Sequence, residues 1–558
     1  MLVTSPSRKP DALAGLTARD FRQIQLAGKS PGDAAREIRL LCDGSSPLRL
    51  RRPCTAGDGV VLFSSTREAR LATLFQHKAS SRTIVKFVAA SGSGSRMFRA
   101  LRSFLERSAS QKDVEVFVNN LQRFAFFDEL RTVVESRGLN LESLRANREW
   151  KPIVECLVGP EGLNYARLPK GLLPFHGYPD GPRTALEEHL VEAALFAKGT
   201  DQWARVHFTV SPDHAESVRL HVARARVRFA CPGLHYETTV SVQGSATNSV
   251  ALDERNHAAR DERGKLILWP SGHGAVLDNL DALAGDIVFV RTLDNVLPDR
   301  LKGFVCFYRK VLGGYLIELE SKVHEYLRAL SSGDAGLPAL EPIQRFAHER
   351  LSVRLRPGFD ELTSEEKSAT LYQTLNRPLR VCGVVPHTGD PGGAPFWVES
   401  PDGSESLRLV EEPEVNRSNQ DQMQIWSAGC YFNPVDIVCS VRNFRGQPFH
   451  LPDYRDSSSH ISVWRCRGSQ QLRILERPGL WNGAMAHWNT AFVEIPRLTV
   501  HPVKSVLDLL NWGHSGRDLT ASYRHDVGNS RVRAGNPPEV PALRKTPSEP
   551  KPRSGSVL

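Results

Sequence analysis

An apolar, β-branched run from Ile84 to Ala90 leads directly into Ser91-Gly92-Ser93-Gly94-Ser95-Arg96-Met97 and then into a helical pattern from Phe98 to Arg107. Strand, glycine-bearing turn and helix in that order restrict the chain to a sheet whose strand ends meet helix starts. This is the arrangement in which backbone N–H groups converge on an anion. Gly92 and Gly94 carry no Cβ and permit positive φ, and Arg96 adds a cation. The loop is not a P-loop, which requires G-x-x-x-x-G-K-[ST]. Nor is it a dinucleotide fingerprint, because Met97 stands where the third glycine would fall. Taken alone, the segment serves equally well as an ordinary βα turn.

The alternation continues. Strand-like runs at 84–90, 206–211, 238–243, 266–269 and 286–291 interleave with helical patterns at 184–197, 213–225, 275–284 and 301–330, which predicts an α/β sheet. A second block, about 376–515, is richer in strands, at 379–386, 396–399, 406–410, 436–441 and 490–495. The expected organisation is an N-terminal extension (1–80), an α/β core (81–345, with an insertion at about 99–165), a strand-rich C-terminal part (346–528) and a tail (529–558). The tail, rich in proline, serine and basic residues, cannot bury enough apolar surface to offset its ordering entropy, and disorder is expected there.

Composition narrows the function classes. With 558 residues and 40% apolar content the chain can build a deep core. Nine cysteines without a C-x-x-C pair argue against a zinc ribbon or a disulfide framework. That usage, the lack of a run of about 18 apolar residues and the lack of a leader-like start lead to the expectation of a soluble cytoplasmic protein with no membrane partner. Net charge is +10, of which the six basic and two acidic residues from Arg531 onward supply +4. Aromatics do not interleave with the basic residues as stacking platforms would, so a nucleic-acid partner is not expected. G-x-S-x-G and H-E-x-x-H are both missing, which disfavours a hydrolase.

Several short constellations carry candidate chemistry. Pro169 and Pro174 stiffen the segment around Lys170, which is either an aimed cation or a solvated turn lysine. Trp269-Pro270-Ser271-Gly272-His273-Gly274 offers a flat glycine turn to a base or ribose, or is simply a tight turn. Gln243, at a strand end, carries an amide able to read a pyrimidine edge, although by itself it reads more simply as an ordinary polar residue ending a strand. The apolar strand 286–291 runs into Asp294-Asn295, placing a carboxylate where open α/β sheets bind ligands. It is either a Mg²⁺ ligand or an Asx-turn residue. Gly383 lies in a strand, Glu411 and Glu412 precede Pro413, and Asn433 follows Tyr431-Phe432. Glutamate and bare backbone suit sugar hydroxyls, and Asn433 could give a metal a second oxygen. Core packing and solvated acids account for the same residues.

Taken in order, Gly92 to Met97, Pro169-Lys170-Gly171, Gly272-His273-Gly274, Asp294-Asn295, Gly383-Val384-Val385, Glu411-Glu412-Pro413 and Tyr431-Phe432 resemble the sugar nucleotidyltransferases, with the UDP-N-acetylhexosamine pyrophosphorylase branch nearest. This likeness covers about 82–440. Leu168 to Phe175, Pro386 to Val398 and Gly479 to Ala486 resemble an uncharacterised bacterial family known only as a domain of unknown function, over about 20–515. The resemblance implies a three-layer α/β fold of the nucleotide-diphospho-sugar transferase (Rossmann-like) type with a mixed, mostly parallel sheet. It implies transfer of a nucleotidyl group from an NTP, most simply UTP, to a sugar-1-phosphate with Mg²⁺. Arg96 and Lys170 would be catalytic. Gly92, Ser93, Gly94, Ser95, Gln243, Gly272 and His273 would hold the nucleotide, Gly383, Glu411 and Glu412 the sugar, and Asp294 with Asn433 the metal. One departure stands out: Lys170 lies 74 positions after Arg96, far beyond the family spacing, so the intervening chain must loop out. A nucleotide-sugar-dependent glycosyltransferase and a non-catalytic nucleotide or nucleotide-sugar binder remain as alternatives.

Overall fold

Nine strands hydrogen-bond into one sheet in the computed structural model, which describes residues 15–515 except 45–46, 107–110, 200, 333–336, 390–391 and 469. The expected tail at 529–558 lies outside the described residues. The sheet strands are β1 (Thr55–Ala56), β2 (Gly59–Val61), β3 (Ile84–Ala89), β4 (Trp203–Val210), β5 (His235–Val242), β6 (Ile287–Thr292), β7 (Leu379–Pro386), β8 (Tyr431–Ser440) and β9 (Asn489–Glu494). Their order is β1-β2-β9-β7-β8-β6-β3-β4-β5. Every neighbouring pair is parallel except those of β8, which runs antiparallel to both β6 and β7. The mixed, mostly parallel sheet expected from the sequence is therefore present. It draws strands from all three segments, with β1 and β2 from 1–80 and β7 to β9 from beyond 345.

Strands covered on both faces read as unbroken apolar runs rather than alternating ones, and β6 and β8 do so. All ten residues of β8 are buried. Successive side chains of β6 serve opposite cores: Ile287 and Phe289 pack on one face with Phe75, Phe196 and Leu316, and Val288 and Val290 on the other with Leu277, Leu280 and Ile437.

Helices α1 (Ser65–Ala79), α2 (Ala185–Phe196) and α3 (Asp299–Ser331) cover the first face. The Thr184–Glu187 capping box starts α2. Gly314, in the middle of the 33-residue α3, is explained by its neighbour: a Cβ there would lie 1.9 Å from the Leu71 carbonyl oxygen of α1. Short helices at Arg99–Leu105, Lys112–Asn119, Phe127–Ser136, Leu141–Ala146 and Trp150–Val158 occupy the region expected to loop out. They close around a stack of Phe117, Phe124 and Phe126, with Tyr165 edge-on to Phe126. Among the described residues, no helix is long and apolar enough to cross a membrane.

Candidate active site

The β3–β6 register sets the site. Ala89 pairs with Thr292 in parallel, so the glycine loop leaving β3 and Asp294 leaving β6 emerge side by side at the carboxyl edge. Gln243 leaves β5 at the same edge, since Val242 pairs with Val210 and Thr209 with Ala89.

Lys170 reaches this edge across its long sequence separation because the loop is stitched to it. The Gly94 N–H donates to the Leu168 carbonyl at 2.9 Å and the Lys170 N–H donates to the Gly92 carbonyl at 3.0 Å. The helical insertion therefore leaves and returns at one point. Contrary to the expectation from free glycine torsions, neither Gly92 nor Gly94 adopts positive φ. Gly94 is needed for space, since a Cβ would sit 2.3 Å from the Tyr165 carbonyl oxygen.

Lys170 is not a solvated turn lysine; it is 8% exposed. Its ammonium donates to Asp294 Oδ2 at 3.0 Å and to the Val503 carbonyl. A second ammonium, Lys504 Nζ, donates to the same oxygen at 2.9 Å. Burial pushes the Asp294 carboxyl up, but the two lysines outweigh it and hold the group below the usual carboxylate range. Burial pulls the Lys170 ammonium down, opposed by Asp294. Two ammonium groups thus share one carboxylate oxygen beside the glycine loop, and Lys170 also feels Asp508, whose carboxylate accepts from the Lys504 and Ser505 N–H groups at 2.7 Å. Asp294 Oδ1 is buried without a hydrogen-bond partner.

Lys504 was not among the residues singled out by sequence. Its segment docks through the Val503 N–H on the Asp294 carbonyl (3.0 Å) and the His501 N–H on Asn295 Oδ1 (3.0 Å). Farther on, His514 Nδ1 meets His176 Nε2 at 2.8 Å, and His176 Nδ1 meets Glu188 Oε1 at 2.7 Å. The segments after Lys170 and after Lys504 are thereby clamped to one another. Beneath the site, Arg291 pairs with Asp436 at 2.6 Å and donates to the Asn295 carbonyl at 3.1 Å, fixing the turn that carries Asp294.

The remaining candidates divide. His273 stacks on Trp481 (4.1 Å between ring centroids, 14° between planes), accepts from the Leu480 N–H at 2.9 Å and lies 3.8 Å from Glu411 Oε1. The turn proposed for the base and one acid proposed for the sugar thus meet, with Gly272 left-handed at φ +70°. Glu412 is exposed and paired with Arg417 at 3.0 Å. Gly383 is buried, and a Cβ there would lie 2.6 Å from Ile495 Cδ1, so sheet packing alone explains it. Asn433 spends its amide internally, donating to the Gly383 carbonyl at 2.7 Å and accepting from the Val435 N–H at 3.0 Å. No hydrogen bond joins it to Asp294. Gln243 donates to Thr247 Oγ1 at 3.2 Å. Arg96 is exposed on the loop. Glu414, also unforeseen, is buried and receives hydrogen bonds from Ser459, Asn482 and the Glu411 N–H. Burial pushes it up to about 7.

Among the described residues, no cluster of three His, Cys, Asp or Glu side chains could cage a metal. Asp294, with one unpartnered oxygen, fits Mg²⁺ as a single-oxygen ligand, the mode in which the ion keeps water and substrate phosphates. Asn433 does not fit as a second ligand.

A family model described as "Domain of unknown function (DUF4301)" matches residues 17–515. No curated protein matches the chain. Similar solved structures include the UDP-glucose pyrophosphorylase of Leishmania major (13% identity, 90% of this chain and 79% of that one, TM-score 0.41). Others are the uridine diphosphate N-acetylglucosamine pyrophosphorylase of Trypanosoma brucei (12%, 90% and 76%, 0.42) and a UDP-glucose phosphorylase of the same organism (13%, 90% and 78%, 0.40).

Proposed function

The chain belongs to the DUF4301 family, and we propose that it is a nucleotidyltransferase that makes a nucleoside-diphosphate-sugar and pyrophosphate from an NTP and a sugar-1-phosphate. The observation that carries this reading is the Asp294 carboxylate bracketed by Lys170 and Lys504, directly beside the Gly92–Ser95 backbone. In-line displacement at phosphorus asks for positioning and charge neutralisation rather than a covalent nucleophile.

A sugar-phosphate oxygen forms a bond to the α-phosphorus while the bond to the β-bridging oxygen breaks and pyrophosphate leaves. The loop N–H groups other than that of Gly94, which is spent on the Leu168 carbonyl, cradle the triphosphate together with Ser93 and Ser95, and exposed Arg96 offers its charge to the departing pyrophosphate. Lys170 and Lys504 neutralise the two phosphates that must approach one another. Asp294 keeps both ammonium groups aimed at one point. The base lies toward Gln243 and the Gly272-His273 turn, and the sugar toward Glu411. UTP is the favoured nucleotide because an amide such as that of Gln243 suits the uracil edge. Mg²⁺, held by Asp294 and the substrate phosphates, would lower repulsion between the two anionic substrates.

A second reading, a nucleotide-sugar binder without turnover, is favoured by one feature: Asp294 already occupies both ammonium groups. A pyrophosphate-release screen of four NTPs against sugar-1-phosphates with Mg²⁺ separates the readings. Release that requires both substrates is expected. Saturable nucleotide-sugar binding without release from any pair would refute the transferase.

A further inference from the structure

A cavity of about 380 Å³ opens at the other end of the sheet, beside the starts of β7 and β9, with Arg354, Arg356, Arg377, Thr374, Trp488 and Thr490 among its walls. Because β6, β7 and β9 run the same way, these amino ends face away from the edge that carries Asp294. The volume lies within the range of small-molecule pockets.

Its charge is unbalanced. Two acids line it, Asp402 and Glu405. Glu405 is committed to Arg51 at 3.1 Å and Arg52 at 3.0 Å. Asp402 accepts from the Ser404 N–H at 3.0 Å and from its hydroxyl at 2.6 Å. Among the described residues, no carboxylate forms an ion pair with Arg354, Arg356 or Arg377, although Arg356 and Arg377 feel Asp402 through space.

Buried groups with nothing to bond supply the second observation. Trp488, 4% exposed, carries an indole N–H without a partner, and Arg354 Nη1 is buried in the same condition. Orphaned donors of this kind cost free energy unless a ligand or water meets them. Arg354 Cζ lies over the Trp397 ring, 5.1 Å from its centroid, a contact that restrains the guanidinium fork. Such forks match phosphate and carboxylate oxygens in pairs. Thr370, Gln373, Ser400 and Ser406 add hydroxyl and amide groups to the lining, suited to a ligand bearing several hydroxyls.

We propose that this cavity is a second ligand site, for a small phosphorylated polyol of the sugar-phosphate class, separate from the cleft at Asp294. Ala486 to Trp488 in its wall lie a few residues beyond Trp481, which stacks on His273, and Asn482, which donates to Glu414. The site stands apart from the nucleotidyltransferase reading and does not need it.

The test is calorimetric titration of the full chain with glucose 6-phosphate, with free glucose and inorganic phosphate as comparison arms. Saturable binding of glucose 6-phosphate is expected, with weaker binding of phosphate and none of glucose. The double variant Arg356→Ala/Arg377→Ala should weaken it at least tenfold and Trp488→Phe several-fold, whereas Lys504→Met should leave it unchanged. If the double variant does not fold, Arg356→Ala alone, at an exposed position, carries the same comparison. Unchanged affinity in the arginine variant, weakening by Lys504→Met, or no saturable heat from either phosphorylated probe overturns the proposal.

Discussion

Lys170→Met is the sharpest perturbation of the site, because methionine keeps the length of the lysine stem and removes only the charge. The ammonium makes two contacts: the Asp294 carboxylate at 3.0 Å, and the Val503 carbonyl. Breaking a buried ion pair costs roughly 3–5 kcal/mol when the partner is left alone in the interior. Here it is not left alone, since Lys504 stays at 2.9 Å on the same oxygen. The loss then reduces to one charge-assisted hydrogen bond and part of the pairing, about 1–3 kcal/mol. The expected variant is folded but less stable, seen as a lowered urea midpoint by tryptophan fluorescence. Its rate of pyrophosphate release should fall by about 10²–10³, the scale for losing one preorganised charge at a transition state. A variant with wild-type turnover would remove Lys170 from the chemistry. One with an unshifted urea midpoint would refute the claim that its burial is energetically coupled to Asp294.

Lys504 is more than half exposed along its side chain, so Lys504→Met should keep the wild-type urea midpoint and still lose about tenfold or more in turnover; equal losses of stability and rate would make it a structural residue. Gly94→Ala forces a Cβ to within 2.3 Å of the Tyr165 carbonyl, and nucleotide affinity measured by calorimetry should drop with the loop displaced; full affinity would mean that the loop does not hold phosphate. Burial pushes the Glu414 carboxyl from its ordinary 4.5 up to about 7 in the folded chain. Its folded state thus holds the proton more tightly, and the stability it lends is complete below 4.5 and declines by about 3 kcal/mol as pH rises through 7. Urea midpoints at pH 5 and pH 8 should differ by less in Glu414→Gln than in the wild type, and an identical pH dependence would contradict the buried-acid account.

The strand pattern was legible because both faces of the sheet are covered, and covered strands are written as apolar runs: 379–386 agrees residue for residue with β7, and 286–291 lies within one residue of β6. Their spatial order was not legible. Nothing local to Ile437 or Val438 records that β8 would insert between β6 and β7 in the opposite direction. The same distinction runs through the site. Asp294 could be found because its chemistry follows from position, a carboxylate directly after a buried strand. Asn433 misled because an asparagine after a strand has the same appearance whether its amide faces a ligand or, as here, bonds Gly383 and Val435 across a bulge. Lys504 gave the weakest signal of all, one lysine in His501-Pro502-Val503-Lys504, although the folded chain sets it 2.9 Å from Asp294. The local clue was available: a proline-stiffened apolar dipeptide before a lysine, followed by the Ser505–Asp508 capping box, is the pattern of a held cation just as it is around Lys170. Two such cations from segments more than 300 positions apart, converging on one carboxylate, form a charged centre that no single motif contains. The gathering of these charges at one edge is therefore a property of tertiary structure, and variants of Lys170 and Lys504 should be non-additive in rate, because both ammonium groups share one Asp294 oxygen and losing either changes the partner of the other.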